Sequence, residues 1–280
     1  MKDIEVDRVH LLYEFISKLV FKASIAGLFS DDAADDSALY DAFMVFDSHL
    51  PLAMGGYKVD YTTNPRKARE ILLNACKKYR SIDNNSEIIS KRWGYFDQLQ
   101  QEGIISSHDS AAFQLTMLWA SAGNSMATAF WTVYYLLLDN DRLVEVTQEI
   151  VKAYSNNDRT TADAGAGDDY MIPLSQQQLD TLLLTDACIT EALRLASGSF
   201  LMRHVLAPTT VTMASGQTYR FRKGDRVGVC PPLWHMDEDI FTDPHSFIPS
   251  RWLGGASKEE RMMGSVGKMP LSKNDKPLPR

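Results

Sequence analysis

From Ser110 to Leu138 the chain carries no charged side chain, and that run limits what the rest can become. Its length would suffice to cross a bilayer. However, Gln114, Gly123, Asn124 and several Ser and Thr residues interrupt it, and basic flanks of the positive-inside kind are missing. The run therefore reads as one long helix crossing a protein core, apolar all round and polar only near its middle, beside a ligand.

The flanking sequence predicts the company such a helix needs. Residues 9–28 have Leu11, Leu12, Phe15, Leu19 and Val20 at helical spacing. An acidic loop follows at 30–36, and Ser37 is placed to cap a helix over 38–49. Pro51, Gly55, Gly56 and Pro65 make 50–64 a loop, with Pro65 suited to the first turn of a helix through Tyr79 whose Lys and Arg residues form a solvated face. A further helix over 85–101 ends at Gly103, and Ser107 or Asp109 is expected to cap the uncharged run. The Asp139-Asn140-Asp141 stretch interrupts it, a short amphipathic helix covers 142–154, and 155–169 is a polar, Gly-rich surface loop. A strongly helical segment spans 176–196. The period then changes: 205–213 and 217–221 read as strands joined at Ala214-Ser215-Gly216, and 226–230 as a third. The class is mainly α with a small β-sheet. Residues 254–280, rich in Gly, Ser, Lys and Pro, are expected to be disordered, and there are no internal repeats.

Composition removes several functions. The chain has 280 residues, 45% hydrophobic and 23% charged, with net charge −7. No basic block is available to release counterions from a phosphate backbone, so nucleic acid is not an expected partner. Cys76, Cys188 and Cys230 form neither a disulfide framework nor a zinc site. The first residues, MKDIEVDRVH, lack the apolar core of a signal peptide. His235, Asp237, Asp239 and His245 have the right side chains for a metal hydrolase, but no helical spacing converges them, and no metal site is assigned.

Glu191 and Arg194 sit three apart near the end of the 176–196 helix, on one face. Alone, Glu-x-x-Arg reads as an exposed ion pair, as Glu5 and Arg8 do. Pro249-Ser250-Arg251-Trp252 changes that reading, because it offers the same carboxylate a second guanidinium. A buried Glu with two Arg partners locks a core in one arrangement.

The order and spacing of these pieces resemble the cytochrome P-450 superfamily of haem-thiolate monooxygenases. They are the long central helix, Glu191-x-x-Arg194, Lys223-Gly224-Asp225, the run from His235 to Pro244, and Phe247-x-Pro249-x-Arg251-Trp252. Leu118 to Asn124 with Ala129-Phe130-Trp131, Ser215-Gly216-Gln217-x-Tyr219-x-Phe221 through Asp225, and Leu19 to Ala23 resemble the branch holding sterol 7α- and 12α-hydroxylases and prostacyclin synthase. The resemblance covers residues 9–253.

The resemblance implies a partial cytochrome P-450 fold over 1–253. Glu191, Arg194 and Arg251 would be the structural triad shaping the haem-binding core. Arg203 would reach a haem propionate, unless it is simply an exposed residue at a strand start. Ser199, Phe200, Leu201 and Met202 would line the substrate side. Trp119, Ala120, Gly123 and Asn124 would face the distal pocket, with core packing the alternative for Trp119. Most of the superfamily has an acid followed by an alcohol where this chain has Gly123-Asn124, with Ser125 next. An Asn amide donates hydrogen bonds or orients water but gives up no proton at neutral pH.

By the same resemblance the complete protein would bind haem b and receive NADPH-derived electrons from a flavoprotein reductase. It would hydroxylate a sterol or related lipid at the endoplasmic reticulum membrane, which it would contact through an amino-terminal anchor. The expected iron ligand, a Cys in a Phe-x-x-Gly-x-x-x-Cys loop, does not follow Arg251 here, and Cys188 and Cys230 read as packing residues. The anchor, the family's amino-terminal helices and most of its sheet are not found either. The chain thus reads as a central piece of a longer protein. Two alternatives stay open: a catalytically inactive fragment without haem, and a prostacyclin-synthase-like endoperoxide isomerase.

Overall fold

The computed structural model describes residues 11–54, 64–81, 86–155, 174–198 and 200–253. The chain divides into two compact units, Met1–Phe130 and Trp131–Arg280. The expected loop at 155–169 (but for Ser155) and the 254–280 tail fall outside the described residues, as do Glu5 and Arg8.

The first unit is helical among its described residues. It holds α1 (Leu12–Leu28), α2 (Asp31–Ala34), α3 (Ser37–Met54), α4 (Asn64–Lys78) with a 3-10 turn at Tyr79–Ser81, α5 (Glu87–Gln101) and most of α6 (Ser107–Leu138). Its core is built from Phe21 and Ile25 of α1, Leu39 and Phe43 of α3, Leu72 and Leu73 of α4, Ile89 of α5 and Leu118 of α6. Local chemistry moves several expected boundaries. The acidic stretch after Ser30 contains a helical turn rather than only loop, because Ser30 Oγ accepts the Ala33 N–H at 3.2 Å and Asp31 and Asp32 sit at its positive end. Helix α3 starts at Ser37 itself and continues through Pro51, where a loop is expected. Pro51 costs the one bond its N–H would make to the carbonyl four residues back, and the helix ends three residues later. The cap of α6 is Ser106, not Ser107. Asp109 Oδ2 accepts the Ser106 N–H and hydroxyl at 2.8 and 2.7 Å, while Ser106 Oγ accepts the Asp109 N–H at 3.2 Å.

Helix α6 is a single helix, as the uncharged run predicts, but it is not buried all round. Ala111, Leu115, Leu118, Ala122 and Met126 form a buried stripe at three- and four-residue spacing. Phe113, Thr116, Ala120, Asn124 and Ser125 are exposed. Among the described residues no helix is long and apolar enough to cross a membrane.

The second unit begins with the end of α6 and continues with α7 (Asn140–Ser155), α8 (Gln176–Leu179) and α9 (Leu183–Ala196). Leu136, Val146 and Cys188 form its small core, with Leu143, Ile150, Leu184 and Phe247 packed around them. The expected helix over 176–196 is broken at Asp180–Leu182. Thr181 turns its hydroxyl back onto the Gln178 carbonyl at 2.7 Å, and α9 restarts with a cap from another helix. Glu149 of α7 accepts the N–H groups of Leu184 and Thr185, both at 2.8 Å, and the Thr185 hydroxyl at 2.7 Å. A carboxylate there satisfies orphan donors and meets the positive end of the helix dipole.

Beyond α9 the strands form one interrupted hairpin. Strands β1 (Leu201–His204) and β4 (Arg226–Val229) pair antiparallel with Leu201 opposite Val229; β2 (Thr209–Thr212) and β3 (Thr218–Phe221) pair with Thr209 opposite Phe221. The two ladders are linked through Val205, whose N–H donates to the Asp225 carbonyl and whose carbonyl accepts the Gly224 N–H, both at 2.9 Å. Gly216 closes the β2–β3 turn at φ +82°, a left-handed conformation that suits glycine. The expected strand over 205–213 is therefore cut by Pro208, and β1 begins earlier, at Leu201. Helix α10 (Pro231–His235) and a 3-10 turn at Pro249–Trp252 complete the unit.

Replacing Glu149 by Ala leaves two N–H groups at the start of α9 without their acceptor. The expected loss is about 1–3 kcal/mol of unfolding free energy, read as a lower urea midpoint at unchanged m-value.

Candidate functional site: a saturated carboxylate on α9

Helical spacing brings Glu191 and Arg194 to one face of α9, and that face is inward: the two side chains are 0% and 2% exposed. Arg194 grips the carboxylate with both edges of its fork, Nε to Oε2 and Nη2 to Oε1, each at 2.9 Å. Its remaining N–H groups reach main-chain carbonyls. Nη1 donates to His235 and Pro244 at 2.6 Å each, and Nη2 to Ser246 at 3.2 Å. All five guanidinium donors are thus used. The plane lies over the Phe241 ring at 4.9 Å, and His235 Nδ1 donates back to the Arg194 carbonyl at 3.0 Å.

Glu191 is equally full. Besides Arg194 it accepts Arg251 Nε at 3.2 Å and the Ile248 N–H at 3.0 Å on Oε1, and Trp252 Nε1 at 2.8 Å on Oε2. Arg251 also donates to the Asp243 carbonyl at 3.0 Å. Asp243 adopts φ +49°, a left-handed turn that an aspartate tolerates better than most residues. It lies in the segment whose Pro244 and Ser246 carbonyls receive Arg194. Burial alone pushes the Glu191 carboxyl up, but hydrogen bonds from Arg194, Ile248 and Trp252 outweigh it and hold the group below its ordinary value. Burial lowers the His235 imidazole instead, with the Arg194 charge adding to the effect.

The structure thus brings together Glu191, Arg194 and Arg251. Trp252 and Ile248 belong to the same cluster. The sequence marks Trp252 only as the neighbour of Arg251, and the Ile248 N–H leaves no trace in it. Phe200, Leu201 and Met202 are exposed around β1, and Arg203 is exposed with Nη1 on the Met202 carbonyl; Ser199 lies outside the described residues. On α6, Trp119 is half-buried, Ala120 and Asn124 are exposed, and the Ser125 hydroxyl donates to the Ser121 carbonyl at 2.9 Å. Trp119 is not simply packed: its indole donates to Asp47 of α3 at 2.7 Å. Among the described residues no cluster of His, Cys, Asp or Glu suits a metal ion, His235 through His245 included.

A family model for cytochrome P450 matches residues 12–267. The chain belongs to the cytochrome P450 family. It is 28% identical over 265 residues to cytochrome P450 7A1 of Oryctolagus cuniculus, covering 91% of this chain and 51% of that one. With the 25-hydroxycholesterol 7-alpha-hydroxylase of Rattus norvegicus it shares 28% over 255 residues, 89% of this chain and 59% of that one. With the prostacyclin synthase of Bos taurus it shares 30% over 180 residues, 63% and 34%. This chain of the family spans about half the length of the curated relatives it matches. A solved retinoic-acid-bound cyanobacterial CYP120A1 has the same fold at TM-score 0.59 and 17% identity, over 93% of this chain and 54% of that one. The P450 fold is therefore present in part.

The family implies haem, and the residues here match it unevenly. Arg203 is exposed and, among the described residues, spends one donor on the Met202 carbonyl, which leaves guanidinium N–H groups for a propionate. The cysteines do not match a thiolate ligand: burial pushes Cys76 up to about 12 and Cys188 up to about 11, and Cys230 sits where β4 gives way to α10.

Arg194→Lys keeps the charge and loses the fork. It should cost about 3–5 kcal/mol, close to the effect of removing the charge, because carbonyls and carboxylate lose their donors in a dry site. A lowered Glu191 carboxyl contributes stability that is complete above its ordinary 4.5 and lost as pH falls through its folded value. Urea unfolding across acid pH should show that slope, reduced in Glu191→Gln.

Proposed function

We infer that this chain supplies the central segment of a haem-thiolate monooxygenase that hydroxylates a sterol or related lipid. What supports this is the Glu191 carboxylate held by two arginines, in a P450 chain whose curated relatives carry sterol hydroxylase names. Haem b, when bound, supplies the oxygen-inserting chemistry, with electrons from NADPH through a flavoprotein reductase. The residues of this chain bind and orient. Glu191, Arg194 and Arg251 fix α9 against the 235–252 segment. Arg203 offers its guanidinium to an anionic group. Ala120, Gly123 and Asn124 give a small, uncharged surface for an apolar ligand, with the Asn124 amide free to position a water. Residence at the endoplasmic reticulum membrane and contact with the reductase belong to the same proposal.

A second reading, an endoperoxide isomerase, draws on Gly123-Asn124 and on the likeness to prostacyclin synthase. Protein expressed from the native transcript should hydroxylate cholesterol or 25-hydroxycholesterol only with reductase and NADPH. Turnover of a fatty-acid endoperoxide without either would favour the isomerase. The 280-residue chain by itself should give no thiolate-type Soret band in a reduced carbon-monoxide difference spectrum. Such a band would overturn the exclusion of its cysteines.

A further inference from the structure

Asp47 of α3 is a carboxylate docked against the uncharged run of α6. Its Oδ1 takes the Trp119 indole N–H at 2.7 Å. That oxygen lies 3.4 Å from where a Cβ on Gly123 would stand, with the Phe43 ring 3.9 Å from the same point. An added Cβ at 123 would meet that oxygen in ordinary van der Waals contact. Among the described residues Oδ2 accepts no hydrogen bond, and it is not sealed away from solvent. Nearby on the same helix Ala120 and Asn124 are exposed, and no charge occurs from Ser110 to Leu138. One pinned oxygen and one open oxygen beside an uncharged helix make an oriented acceptor, the kind of isolated polar group that sets ligand specificity.

We propose that Asp47 determines specificity: Oδ2 accepts the hydroxyl hydrogen of a hydroxylated sterol lying along the Ala120–Asn124 face of α6. Trp119 holds the carboxylate in one orientation. This rests on the reading of α6 as a substrate-facing helix and names the feature of the substrate that α6 selects. A hydrogen bond to a charged acceptor that the bound sterol itself shields from water discriminates by about 10- to 100-fold against a ligand lacking the donor.

The test is equilibrium binding to protein from the native transcript, using cholesterol against its 3-deoxy analogue and 25-hydroxycholesterol against cholesterol. Wild-type protein should prefer the hydroxylated member of at least one pair by that factor. Asp47→Ala should bring the ratio to about one by weakening the hydroxylated sterol alone. Asp47→Asn guards against misfolding. Trp119 N–H needs the amide oxygen, so the amide NH2 takes the open position and replaces an acceptor with a donor; the ratio should fall with the fold intact. A hydroxyl preference that survives both variants overturns the proposal, as does an equal loss for both members of a pair, which marks a structural role. Tighter binding of a steroidal amine than of its alcohol overturns the choice of hydroxyl. If wild-type protein binds no sterol saturably, the functional reading falls and this inference with it.

Discussion

A carboxylate with no access to water is the constraint on which the second unit is built. Stripping the solvent from Glu191 and Arg194 costs several kcal/mol per ion, and their attraction repays it only if every remaining lone pair and proton finds a partner. That requirement recruits atoms far away in sequence: the carbonyls of His235, Pro244 and Ser246, the amide of Ile248, the indole of Trp252 and the second guanidinium of Arg251. The 235–252 segment has little regular structure of its own. Its course is set by where these groups must stand, so an irregular stretch of chain is pinned by hydrogen bonds to two buried side chains in place of a ladder.

The first unit solves a different problem. Helix α6 has no charge over most of its length, yet only one stripe of it is covered. Near its middle the open side keeps small and polar groups, Ala120, Asn124 and Ser125, while large apolar ones, Phe113 and Leu138 among them, stand exposed toward its ends. Asp47 reaches this helix from α3 through an indole, beside Gly123. The cluster on α9 closes on itself, whereas the contact on α6 leaves an oxygen open.

How much of this the sequence reveals depends on the range of the interaction. Helix α6 is legible because absence of charge is a property of a single stretch. Glu191 and Arg194 are legible because helical spacing fixes their relation, and Arg251 because its motif stands at a recognisable distance. The contacts that escape are those between side chains with no shared period. Nothing about Glu149 distinguishes it as the cap of α9, and nothing local ties Asp47 to Trp119. The break at Asp180–Leu182 escapes for the same reason: its flanks have helical propensity, and the interruption is stabilised by an acceptor on α7. The strand at Leu201–His204 is hidden because exposure on both faces removes the alternation that marks a strand.

The saturation of Arg194 has a consequence for inheritance. Three of its acceptors are peptide carbonyls, which every residue except in its placement supplies identically, so they are not written in any codon. A lesion at position 194 consequently has no complementary substitution elsewhere: a new acid can answer a displaced charge, but no exchange of side chains can re-aim three backbone oxygens at a different head group. Suppressors of such a lesion would act by raising stability elsewhere, not by rebuilding the contact.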